Sequence, residues 1–135
     1  MRLYGLCLLM FVSLQAAAVE VIVNRNVAGT SLAQASARAF FGMRLNRWPD
    51  GRPVQVFVLP DGHPTHVALC KEQLNLYPYQ LRQSWDRLVY SGMAQAPIEV
   101  ANEEEMISRV ATTPGALGYV RKVKSNDPVK VLSIE

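Results

Sequence analysis

The stretch "VQVFVLPDGHPTHVALC", Val54 to Cys70, sets the architecture. Its first six residues, Val54 to Leu59, are almost continuously apolar, as in a strand covered on both faces. Pro60-Asp61-Gly62 is a turn by composition. Beyond it Val67, Cys70 and Leu74 repeat at helical spacing, which puts Cys70 on the buried side of a short helix. A doubly covered strand that turns into a helix calls for a sheet flanked by helices.

Upstream, Val19 to Val23 is a short β-branched run. After the Gly29-Thr30 breaker, Leu32, Ala35, Ala39, Phe40 and Met43 follow the 3.6 period of a helix, with Ser31 and Gln34 as its capping box. "WPDGRP" is a turn. Downstream, Pro78 opens a helix whose stripe is Leu81, Trp85, Leu88 and Val89, and Ser91-Gly92 ends it. Asn102 opens another, with Glu103, Glu104 and Glu105 in its first turn and Met106, Ile107 and Val110 facing the core. The three glutamates point in different directions on a helix, so they cap it and do not converge on a metal. Thr113-Pro114-Gly115 breaks that helix. "ALGYV" follows as a strand with a close neighbour at Gly118, and "VKVLSI" from Val129 closes the chain. The order βαβααα, then ββ, predicts one α/β domain: a central mostly parallel or mixed sheet flanked by helices.

The N-terminus carries Arg2, the apolar run Leu3 to Leu14 and then "QAAAVE", the layout of a secretory signal with cleavage between Ala18 and Val19. Residues 1–18 are expected to be the signal and 19–135 a single domain, a length with no room for two full lobes. No later segment is apolar enough to span a membrane. Of the two cysteines, Cys7 falls within the signal, and Cys70 is expected to pack as a buried hydrophobe. A formal charge of +3 is too weak and dispersed for nucleic acid. The densest basic run, Arg121 to Lys124, reads as a solvated loop.

Four strings, "ARAFFGMRLNRWPDG", "QLRQSWDRLVYSGMAQAP", "VANEEEMISRV" and "ATTPGALGYV", resemble the periplasmic phosphate-binding proteins of ABC transporters. They resemble the short single-lobe relatives more closely, over most of the chain after the signal. The resemblance implies a periplasmic-binding-protein-like lobe of type II, export to the periplasm, and a solute or oxyanion ligand. In the two-lobed relatives the loop matching "LPDGHPT" carries an Arg, then an acidic residue and a Ser-Gly-Thr run at a helix start. A helix start offers N–H donors and a positive dipole end, Arg a planar donor fork, and Asp a proton acceptor. Here Asp61, Gly62 and Thr65 match, while Leu59 stands for the Arg and His63-Pro64 for Ser-Gly. Leu59 brings no charge and Pro64 no N–H. Two lost charge-assisted contacts weaken binding by roughly two to four powers of ten. Asp61, Gly62, His63 and Thr65, with Thr30 and Ser31 at the first helix start, are the candidate anion ligands.

His63, His66 and Cys70, with Asp61 upstream, invite a zinc reading. Pro64 instead makes His63 the helix cap, and Cys70 faces the core, so no metal or other cofactor is expected. His66 and His63 then stand as exposed polar residues at a helix start. Cys70 with His66 is the one conceivable catalytic dyad, and a desolvated thiol is inert, so no enzyme is expected. Two functions are left. The first is an exported solute-binding-like module for phosphate or another small oxyanion, serving an ABC-type uptake or sensing system through a membrane transporter or sensor protein. The alternative is a ligand-free periplasmic interaction or accessory domain that keeps the lobe and has lost the site. The first is preferred because a helix-start nest needs mainly backbone groups.

Overall fold

The computed structural model describes residues 18–135; the signal-like segment lies outside them except for Ala18. The chain runs β1 (Glu20–Val23), β2 (Ser31–Leu32), α1 (Gln34–Phe41), β3 (Gln55–Val58), α2 (Pro64–Ala68), a π-helical turn (Leu69–Leu74), α3 (Pro78–Tyr90), β4 (Ile98–Glu99), α4 (Glu103–Thr112), β5 (Ala116–Val120) and β6 (Lys130–Ile134). The strands form one sheet in the order β2-β6-β1-β5-β3-β4. β1 is antiparallel to both β5 and β6. The β2–β6, β3–β4 and β3–β5 pairs are parallel. The sheet is therefore mixed, with β1 the reversed strand.

Neighbours in β5 face opposite ways. Gly118 faces α4 so closely that a Cβ there would lie 2.6 Å from Met106 Sδ and 2.9 Å from Val110 Cγ2. Tyr119 faces the other layer, where its ring meets Phe41 edge-on at 5.8 Å and lies 5.7 Å from His66. In that layer α3 is tied to α1 by Trp85 Nε1, which donates to Phe41 O over 2.7 Å. At the end of α4, buried Asn24 donates to the carbonyls of Val110 and Ala111. Gly115 takes φ +74° just after it, against the Pro53 carbonyl, where no side chain fits.

β3, β4 and β5 run in the same direction, so the loops that leave their C-terminal ends share one end of the sheet. That end is where open α/β sheets bind ligands. It gathers the Pro60–Thr65 loop, the start of α4 and the residues after Val120.

Several expectations need correction. Ser31 and Gln34 form no capping box: Ser31–Leu32 is a strand, and the residue that caps α1 is Ala33, without a side-chain bond. The reason is the ladder to β6, where Ser133 N–H donates to Thr30 O and Glu135 N–H to Leu32 O, both at 2.9 Å. Two backbone bonds outweigh one side-chain cap. The buried face of α1 is accordingly Ala37, Phe40 and Phe41, with Ala35 exposed. Val89 is 45% exposed and falls outside the α3 core face of Leu81 and Trp85. The expected strand order lacked β2 and β4, two residues each. The helix after Thr65 keeps α geometry for little more than a turn before it widens, closing with Asn75 left-handed at φ 51° and Leu76 N–H on Cys70 O at 2.8 Å. The Asn102 cap holds as expected, its side chain accepting from Glu105 N–H at 2.9 Å.

Candidate functional site

At the C-terminal end of β3, Leu59 is fully buried, and its N–H donates to the Tyr119 hydroxyl at 2.8 Å. That hydroxyl also meets His66 Nδ1. With the imidazole proton on Nε2, Nδ1 accepts the Tyr119 hydroxyl proton while that hydroxyl accepts from Leu59, and Nε2 faces Cys70 Sγ at 3.8 Å. His66 is not an exposed residue at a helix start; it is fully buried. Desolvation holds its pKa below the usual histidine value, with the nearby Asp61 charge opposing the shift. Burial likewise lifts the Tyr119 hydroxyl above its ordinary range and pushes the Cys70 thiol up to about 11. At neutral pH the thiol is held in its protonated, less nucleophilic form.

The loop itself is fastened by its own groups. His63 N–H closes a turn on Pro60 O at 2.8 Å, and His63 Nδ1 accepts from Thr65 N–H at 3.1 Å as the α2 cap. Asp61 is clasped by Arg82 of α3 through Nε at 2.9 Å and Nη2 at 2.8 Å. This bond holds the Asp61 carboxyl below its ordinary pKa. The guanidinium rests over the Trp85 ring, 5.0 Å from its centre. Thr65, nearly buried, turns its hydroxyl to Glu103 Oε2 at 3.4 Å. The other oxygen of that carboxylate, Oε1, accepts from the Arg121 N–H just past β5. Arg121 also reaches Glu72 at 3.9 Å.

The carboxylate of Glu103 thus sits in the crevice at the strand ends and holds a hydroxyl and a backbone N–H, the two donor types an oxyanion takes. Asp61, Gly62, His63 and Thr65 lie together on the loop. Thr30 and Ser31 do not join them. Ser31 belongs to the far edge strand β2 and Thr30 immediately precedes it, four strand spacings from β3, or about 19 Å. His63, His66 and Asp61 each spend a polar atom on a protein partner, and among the described residues no group of three His, Cys, Asp or Glu could hold a metal ion. Reading the sequence alone missed Arg82, Tyr119 and the role of Glu103. Only Tyr119 left a signal: alternation in β5 sets it opposite Gly118.

No protein-family model matches the chain, nor does any curated protein sequence. Solved structures do match in shape. PstS from Borrelia burgdorferi superposes with a TM-score of 0.66 at 14% identity, over 87% of this chain and 47% of that one. The fold is that of a phosphate-binding-protein lobe. A putative phosphate ABC transporter substrate-binding protein with bound phosphate, from Clostridium perfringens, matches the lobe at TM-score 0.64 and 13% identity, over 87% of this chain and 44% of that one. A possible phosphate binding protein from Planctomyces limnophilus matches it at TM-score 0.60 and 15% identity, over 89% of this chain and 43% of that one. The lobe therefore spans less than half the length of each of these proteins.

Proposed function

We propose that the protein is an exported solute-binding-like lobe whose oxyanion crevice is closed by its own carboxylate, and that it serves as an accessory module for a membrane transporter or sensor protein. The observation that carries this reading is Glu103, which takes the Thr65 hydroxyl and the Arg121 N–H together. A phosphate arriving there has to displace a tethered carboxylate and then sit beside it, a like-charge contact that costs affinity. Leu59 supports the same reading, since its N–H is spent on Tyr119 and its side chain is in the core. The leader-like Arg2 to Ala18 segment supports export.

The measurement is thermal unfolding of the protein in phosphate and in sulfate. A flat melting temperature up to about 10 mM anion is the expected outcome. A ligand at 100 times its dissociation constant adds about 2.7 kcal/mol, very roughly 10 °C for a domain of this size. A shift of that order at about 1 mM phosphate overturns the reading.

A second reading, weak oxyanion binding at the open side of the loop, draws on Arg82. Clasped to Asp61, it places a cation beside the loop that has Leu59 where the relatives have arginine. An anion-dependent shift that Arg82→Ala abolishes would favour it.

A further inference from the structure

Away from the crevice, a groove of about 340 Å³ runs between the C-terminal end of α1 and the flank of α3. Arg38, Arg44 and Arg87 line it, with Gln80 and Ser84 between them and Leu88 among its apolar walls. Arg52, Arg82, Arg109 and Arg121 each have a carboxylate within 4.0 Å. The three groove arginines have none among the described residues. We propose that this groove docks an acidic segment of a partner protein, which identifies the surface through which the accessory module works and rests on that reading.

Three uncompensated guanidiniums around one concavity create a local positive field, which a peptide rich in Asp or Glu complements and steers towards. The arginine fork suits carboxylates in particular. Arg38 is already in place, with Nε on Leu74 O at 2.6 Å, so less order is lost when a partner binds. Arg44 follows Met43, a left-handed residue at φ 64° that turns the chain at the end of α1. The ends of the track are apolar and exposed. Tyr77 and Tyr79 stack at 5.7 Å where α3 begins, 58% and 60% exposed, and Tyr90 and Met93 stand 96% and 75% exposed where it ends. Aromatic and Met side chains of this kind are enriched at protein interfaces. α3 is 13 residues long, about 20 Å, the reach of roughly six extended residues. The groove is concave, so its arginines meet an inserted chain better than a flat bilayer.

The test uses the full chain and fluorescently labelled poly-L-glutamate, read by anisotropy at about 10 mM salt, where the screening length is roughly 30 Å. Arg44 and Arg87 are exposed, so Arg44→Glu/Arg87→Glu should fold, and circular dichroism verifies it. Lys122→Glu/Lys124→Glu makes the same charge change outside the groove. The expected result is binding by the parent protein, weakened about tenfold or more by the groove pair and less than about twofold by the lysine pair. No binding, equal losses in both pairs, or preference for phosphatidylglycerol vesicles over the peptide overturns the groove. Phosphate arms run alongside: phosphate binding by the parent protein would overturn the closed crevice, whatever the peptide does.

Discussion

The Thr65 hydroxyl donates to Glu103 Oε2 across 3.4 Å, joining the loop after β3 to the first turn of α4. That carboxylate also serves as an acidic residue at a helix N-terminus and as the acceptor for Arg121 N–H. Glu103→Ala should release a hydroxyl and a backbone N–H and cost about 1–2 kcal/mol of stability by urea unfolding. Unchanged stability would mean that the carboxylate bridges nothing in solution.

Asp61 and Arg82 form a fork-to-carboxylate pair that is partly wet, with side chains 37% and 45% exposed. After solvent screening its worth is about 0.5 kcal/mol. The Arg82 hydrogen bond lowers the Asp61 pKa from 3.8. The pair therefore stabilises the fold above about pH 4, and its contribution is lost as pH falls through the lowered folded value. NMR titration of the Asp61 carboxyl should show its midpoint rise in Arg82→Ala. An unmoved midpoint would show that the two groups do not pair.

His66 works in the opposite sense to a paired histidine. Burial lowers its folded pKa below the 6.5 of free imidazole, so the unfolded chain takes the extra proton first. The stability it contributes is complete above about pH 6.5 and declines as pH falls from there towards the folded value, by at most about 1.4 kcal/mol per pH unit. His66→Gln keeps an acceptor for Tyr119 and should flatten this acid limb in denaturant unfolding between pH 6.5 and 5. Equal losses in both proteins would place the acid sensitivity elsewhere.

Gly118 lets α4 lie against β5. Gly118→Ala forces its methyl group into Met106 and Val110, and should cost about 1–3 kcal/mol of overpacking. The variant's midpoint in urea measures it. A neutral effect would mean that α4 shifts without cost.

The parts of the fold that could be read in the sequence are those whose signal is local. Asn102 before three glutamates marks a helix start because cap and dipole act within one turn. Ala116–Val120 marks a buried strand because a glycine between apolar residues leaves room for a helix. Ser31 misled because its local cap competes with a partner at Ser133, a hundred residues away in sequence and invisible to periodicity. β4 escaped for the same reason, since two residues hold no pattern. At the site, Asp61, Gly62, His63 and Thr65 share a loop and could be grouped by adjacency. Arg82 and Glu103 arrive from α3 and α4, and nothing in their own neighbourhoods points to Asp61 or Thr65. Glu103 does two jobs, and only the capping job has a sequence signature.

Whether Glu103 closes the crevice is decided most directly by calorimetric titration of phosphate at pH 7 into the parent protein and into Glu103→Ala. The account predicts no binding heat for the parent and millimolar binding for the variant, because two released donors at about 1.5–3 kcal/mol each reach that range. Micromolar binding by the parent, unchanged in Glu103→Ala, would contradict it.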